Sequence, residues 1–172
     1  MNPVIDNILN RRSCRAFTDK LIAREDIETL LKCARYAPNG GNHRTWKFTA
    51  VLDQALIKKL AGVIGAAADA DAGYKFYGAK ALIIPSNQQD ALFGREDNAC
   101  ALENIFLAAR SLGIASVWIA QAFGNCFNSE VRAVLTELGI PENHVIYGMA
   151  ALGYAAGEIA EPDKSADVTI LG

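Results

Sequence analysis

From residue 97 to 112 the sequence places apolar side chains on nearly every side of a helix. Ala99, Leu102, Ile105, Phe106, Ala109 and Leu112 line one side, and Ala101, Leu107 and Ala108 cover much of the rest. Such a helix has to be covered from several directions, so it is expected at the centre of a domain or in a dimer interface. Gly113 stands where a left-handed residue closes a helix. The remaining pattern is arranged around this element. Asn2-Pro3 is a helix-start pair that places Ile5, Ile8 and Leu9 on one face. A second helix is predicted over residues 24–36, ended by Pro38, and a third over 54–66, capped by Asp53. A last one starts at Asn128 or Ser129 and ends near 138. Strands are predicted over 46–52, 79–85, 115–119 and 145–152. The second of these is apolar throughout, which suits burial on both faces. Residues 67–77 and 86–94 read as surface connections. Alternating helices and strands predict a sheet flanked by helices.

The 172 residues suit one domain, and an apolar fraction of 51% is enough for a core. The net charge of −2 gives no general attraction to nucleic acid or to an anionic membrane. The charge is unevenly spread. Residues 1–47 hold nine Lys/Arg against five acids, and residues 142–172 hold one Lys against five acids, so front and tail attract each other within or between chains. Four cysteines at wide spacing and two distant histidines argue against zinc and for free thiols. No apolar run reaches the ~18 residues of a membrane span and no leader pattern is visible. A soluble cytoplasmic protein is expected.

Two segments remain that core and turns do not account for. Arg11-Arg12-Ser13-Cys14-Arg15 brings three guanidinium groups and a hydroxyl within five residues, a donor set that matches phosphate and other oxyanions. Ala37-Pro38-Asn39-Gly40-Gly41-Asn42 is a helix stop followed by a glycine bend, where backbone can approach a flat ligand without Cβ obstruction. They read as two sides of one anionic-cofactor site, or as a solvated basic helix end and an ordinary loop. Cys14 lies among the arginines, but no histidine stands nearby to serve as its base. The chain has no Gly-x-Gly-x-x-Gly or Walker motif, and no Ser-His-Asp set or carboxylate pair suggests itself. Such a chain is a binding module or an enzyme whose cofactor does the chemistry.

Arg-Arg-Ser-Cys-Arg-Ala-Phe, followed by Ala-Pro-Asn-Gly-Gly-Asn-His-Arg-Thr-Trp-Lys-Phe, resembles the nitroreductase family of FMN-dependent oxidoreductases. The block from Asn104 to Ile119 and the pair Gly153-Tyr154 extend the likeness over most of the chain. The sequence departs from the family pattern at Arg44-Thr45 for Gln-Pro, Asn39 for Ser, Lys80 and Ala155 for Pro, and Ala115 for Gly. The tail carries one cation where several are common. The resemblance implies an α+β three-layer α-β-α sandwich with a mixed central sheet. It also implies a homodimer with shared active sites, in which a C-terminal strand, residues 168–171, joins the partner's sheet. It assigns Arg11, Arg12, Ser13 and Arg15 to FMN, with Arg11 on the phosphate and Arg15 stabilising the reduced ring. Pro38, Asn39, Gly40 and Asn42 would reach the same flavin from the partner. Trp118, Ile119 and Ala120 would line the ring, and Lys164 would be a second phosphate ligand. The function implied is ping-pong hydride transfer from NAD(P)H through FMN to a nitroaromatic, quinone or similar flat acceptor. A non-catalytic flavin-binding or sensory module and a divergent branch such as a reductive dehalogenase are the alternatives.

Overall fold

The computed structural model describes residues 2–71, 73–161 and 164–172. Among the described residues five α-helices and five strands appear, in the order α1 (Pro3–Asn10), α2 (Arg24–Arg35), β1 (Trp46–Val51), α3 (Gln54–Ala67), β2 (Ala81–Gln88), α4 (Gly94–Ser111), β3 (Ala115–Ile119), α5 (Ser129–Glu137), β4 (His144–Val145) and β5 (Met149–Gly153). The helix starts follow from local chemistry. The Asn2 carboxamide oxygen accepts the Val4 N–H at 2.8 Å, with Pro3 at the first helical position. Asp53 accepts from Ala55 and Leu56, and Asn128 from Glu130 and Val131.

The strands run in the order β1-β2-β5-β3, with β4 pairing on β2. Alternation along them separates two cores. Leu82, Ile84, Val117, Ile119 and Ala151 pack against α3 and α5. Ala81, Ile83, Ala150 and Leu152 face α2 and α4. This is the three-layer sandwich, with α4 as the long helix of one layer. Beside it lies α1, which buries none of its own residues and is tied to α4 by Asn7 Nδ2 donating to the Leu107 carbonyl at 2.8 Å.

The structure corrects four sequence expectations. The sheet is not mixed as implied: every ladder between these strands is antiparallel, and the parallel component is an isolated bridge between Ser13 and Ser116. The predicted fourth strand is two, β4 and β5, because its first part pairs with the end of β2 and its second with β2's start and with β3. The connection at 86–94 shrinks because Ser86 and Asn87 stay in the sheet and are buried, and α4 starts at Gly94. Finally, residues 67–77 are not all surface: Phe76 is fully buried in the core on α3's side.

Ser86 is held by His144, Oγ to Nδ1 at 3.0 Å. Burial lowers the His144 pKa from the usual 6.5, and Lys47 and Arg132 push it the same way, against the bond from Ser86. The unfolded chain therefore binds this proton at a higher pH than the folded one. The contribution is fully present above about pH 6.5 and is lost as the pH falls below it. The expected result is a thermal midpoint that falls faster below pH 6.5 in the native chain than in His144→Gln, read by calorimetry across the range.

Candidate functional site

The chain leaves α1 at Arg11 in extended conformation, so residues 11–18 run as a strap instead of extending the helix. Cys14 N–H donates to the Ser116 carbonyl at 2.9 Å, Thr18 N–H to Tyr154 at 2.8 Å, and Ala156 N–H to Ala16 at 3.0 Å. These bonds lay the strap across the ends of β3 and β5. Gly153 is small by necessity here, since a Cβ would stand 2.7 Å from the Phe17 ring. Between the strap and the chain leaving β5 lies a cleft of about 620 Å³, lined by Arg11, Arg12, Ser13, Arg15 and Lys164 together with residues 156–160, Glu158 among them.

The cations are not equivalent. Arg12 is the most committed, its guanidinium donating to the Leu9 and Arg11 carbonyls and pairing with Glu161 at 2.7 Å. It therefore ties the end of α1 to the acidic tail, the contact that the uneven charge pattern anticipated. Arg11 approaches Glu103 at a loose 3.9 Å. Arg15 is exposed in the cleft wall. Cys14 is buried, its thiol turned to the Ala16 carbonyl, so it packs beneath the strap. A cleft with this donor set fits a phosphate-bearing ligand.

The glycine bend lies elsewhere in the same chain. A short 3-10 turn, Gly40–Asn42, sits against the start of α4, beside a smaller hollow lined by Gly40, His43, Thr45 and Gln88. Pro38 and Asn42 are exposed, and Asn39 is half-buried. The bend was expected to turn backbone N–H groups towards a ligand, but most face inward. Gly40 donates to Asp97, Asn42 to the Asn39 carbonyl and His43 to the Gly40 carbonyl. Within one chain the leader and the bend thus line different hollows.

Of the β3 trio, Trp118 is 39% exposed, with its indole against Gly148 and 6.2 Å from the Phe106 ring. Ala120 is exposed. Strand alternation turns the Ile119 side chain to the opposite face, into the core with α3 and α5, so beside Trp118 this residue offers its backbone. Two residues with evident roles were absent from the sequence-based set, Glu161 and Asp97. Glu161 was signalled only by the tail's charge. Asp97 looked like any acid near a helix start.

The fold is an α+β sandwich, and its cleft at the ends of two neighbouring strands presents a donor set of the kind that suits an anionic small ligand. The chain belongs to the nitroreductase family, whose model matches residues 8–154. A crystal structure of a nitroreductase with bound FMN from Bacteroides fragilis is 40% identical, covers both chains fully and superimposes with a TM-score of 0.90. A relative from Archaeoglobus fulgidus, provisionally named NADH dehydrogenase/NAD(P)H nitroreductase, is 36% identical over 166 residues, which is 92% of this chain and 88% of its own. An NADPH-flavin oxidoreductase from Vibrio harveyi is 30% identical, over 98% of this chain and 69% of its own.

Proposed function

We propose that this protein is an FMN-dependent oxidoreductase that takes electrons from NAD(P)H and delivers them to a nitroaromatic, quinone or similar flat acceptor. The observation that carries the reading is the cleft under the strap, which gathers Arg11, Arg12, Ser13, Arg15 and Lys164 from the two ends of the chain. FMN supplies the hydride relay when bound, accepting from the nicotinamide and donating to an acceptor that binds afterwards in its place. The chain's own part is to hold and polarise. Arg11 and Lys164 hold the phosphate, Ser13 meets the ring's pyrimidine edge or ribityl chain, and Arg15 balances negative charge on the reduced ring. Arg12 also contacts the ligand from the position that its carbonyl bonds and Glu161 give it.

In this reading residues 1–172 form one FMN-binding domain that acts as a homodimer with shared sites. Pro38, Asn39, Gly40 and Asn42 then come to the cleft from the partner, while Trp118 and Ala120 border the ring. Two observations support a second copy. Val4, Ile5, Ile8 and Leu9 make an apolar face on α1 that is at least half exposed. Val168, Ile170 and Leu171 are exposed at the other end of the chain, and a run of this kind gains most by adding to a sheet edge. Among the described residues no helix is long and apolar enough to cross a membrane.

Anaerobic titration of the purified, FMN-loaded protein with NADH and then NADPH tests the proposal. Bleaching of the yellow flavin band by one of them, and its return on adding a quinone or nitroaromatic, is the expected outcome. Protein that takes up no FMN overturns the reading. Yellow protein that neither nicotinamide bleaches favours the non-catalytic flavin-binding module.

A further inference from the structure

The bend at residues 39–44 is a strained stretch of backbone. Gly41, Asn42 and Arg44 have φ of 59°, 55° and 56°, three left-handed residues within four, two of which carry a Cβ. Left-handed conformations in residues other than glycine persist only when the surroundings impose them. Here the surroundings are the first residues of α4. The Asp97 carboxylate, 6% exposed, accepts the Gly40 N–H at 2.7 Å, a charge-assisted bond drawn out of water. The Phe93 ring closes on the same residue so tightly that a Cβ on Gly40 would fall 2.1 Å from Phe93 Cδ2. Next to it, the Asn39 side-chain oxygen is buried and has no hydrogen-bond partner among the described residues. The bend thus hangs from α4 by one buried carboxylate and one aromatic ring.

We infer that Asp97 is a positioning residue for the cofactor site, fixing the Asn39-Gly40 bend in the one conformation that lets Asn39 and Asn42 meet the flavin. The inference rests on the proposed function, because only there does the bend reach a cofactor. Asp97 itself touches no ligand. It acts through Gly40, by taking up the donor that would otherwise let the bend turn over. The carboxylate is suited to this because a neutral acceptor would hold the amide less firmly. The position at the start of α4 also favours a negative charge, since the helix N-terminus carries partial positive charge.

The experiment compares the native protein with Asp97→Asn and Asp97→Ala by two readouts. The first is amide hydrogen exchange over residues 38–44 in protein freed of flavin, and the second is the FMN dissociation constant from flavin fluorescence quenching. Asp97→Ala is expected to speed exchange in the bend about tenfold or more, the factor that follows from losing one charge-assisted bond, and to weaken FMN by a similar factor. Asp97→Asn keeps an oxygen of the same shape and is expected to fall between. Should Asp97→Ala fail to fold, Asp97→Asn carries the test alone, with a smaller change of the same sign. Arg15→Ala serves as the contrast, weakening FMN without changing exchange in the bend. Unchanged exchange in the Asp97 variants overturns the clamp. Faster exchange with FMN affinity within twofold of native overturns its link to the cofactor. A native protein that binds no FMN overturns the functional reading, while the exchange data still show whether Asp97 holds the bend.

Discussion

Arg15→Ala is expected to raise the FMN dissociation constant roughly 10- to 100-fold, the range set by one or more charge-assisted hydrogen bonds to an anionic partner. The size follows from how the three arginines of the strap are used. Arg12 is engaged with two backbone carbonyls and with Glu161, and Arg11 leans towards Glu103. Arg15 lies exposed in the cleft wall and is the cation with most left to give to a ligand. The variant removes a side chain that buries little, so the thermal midpoint of the flavin-free protein should hardly move. Arg12→Ala should behave differently. It loosens both the end of α1 and the tail, so affinity and stability fall together. Fluorescence quenching by the protein at two salt concentrations, with melting curves alongside, separates the cases. An Arg15→Ala protein that binds FMN as tightly as the native chain would remove Arg15 from the site.

The second large effect lies in the core, at a residue that does not line the cleft. Phe76→Ala is expected to cost about 3–5 kcal/mol of folding stability, the usual range for truncating a fully buried phenylalanine. Phe76 is 0% exposed and meets Tyr74 edge-on, with ring centroids 5.2 Å apart. It belongs to the core that α3 and α5 share with the sheet. Its φ of 49° and that of Tyr77 at 59° show that the backbone accepts a left-handed turn so that this ring can be delivered inward. For a chain this long, the loss corresponds to a drop of roughly 6–20 °C in thermal midpoint. Burial also raises the neighbouring Tyr74 hydroxyl to a pKa of about 12, consistent with an apolar setting. Denaturant melts followed by circular dichroism give the number directly. A cost below about 1 kcal/mol would mean that the loop carrying Phe76 contributes little to the core.

Phe76 also shows where a sequence stops being informative. Residues 67–77 contain small and polar residues at turn frequency, and nothing local marks one aromatic among them as buried. Its burial depends on α3 and the sheet arriving from elsewhere in the chain. The polar pair Ser86-Asn87 is a similar case. Polarity argued for a loop, while pairing with β1 and β4 and the bond to His144 keep both residues inside the sheet. Helix starts, by contrast, were legible to the residue at Asn2 and Asp53 and to within one residue at Asn128, because a cap is a bond between neighbours in sequence.

The candidate site divides along the same line. The arginines of the strap and the glycines of the bend were visible because each is a dense local cluster. What each residue does there was not. Arg12 proved to be tied to a glutamate 149 positions away, and the bend's amides proved to be turned inward, towards Asp97 and its own carbonyls.

The amino-acid order by itself determined most of the elements, the two-sided burial of β2, the family and the cationic leader. Each of these rests on periodicity, capping or a short motif, and such signals act over a few residues. Only the tertiary structure decided the strand order, the antiparallel ladders, the inward turn of Ile119 and Phe76, and the hold of Asp97 on the glycine bend. These depend on contacts between segments far apart in the chain, whose energies no local pattern encodes.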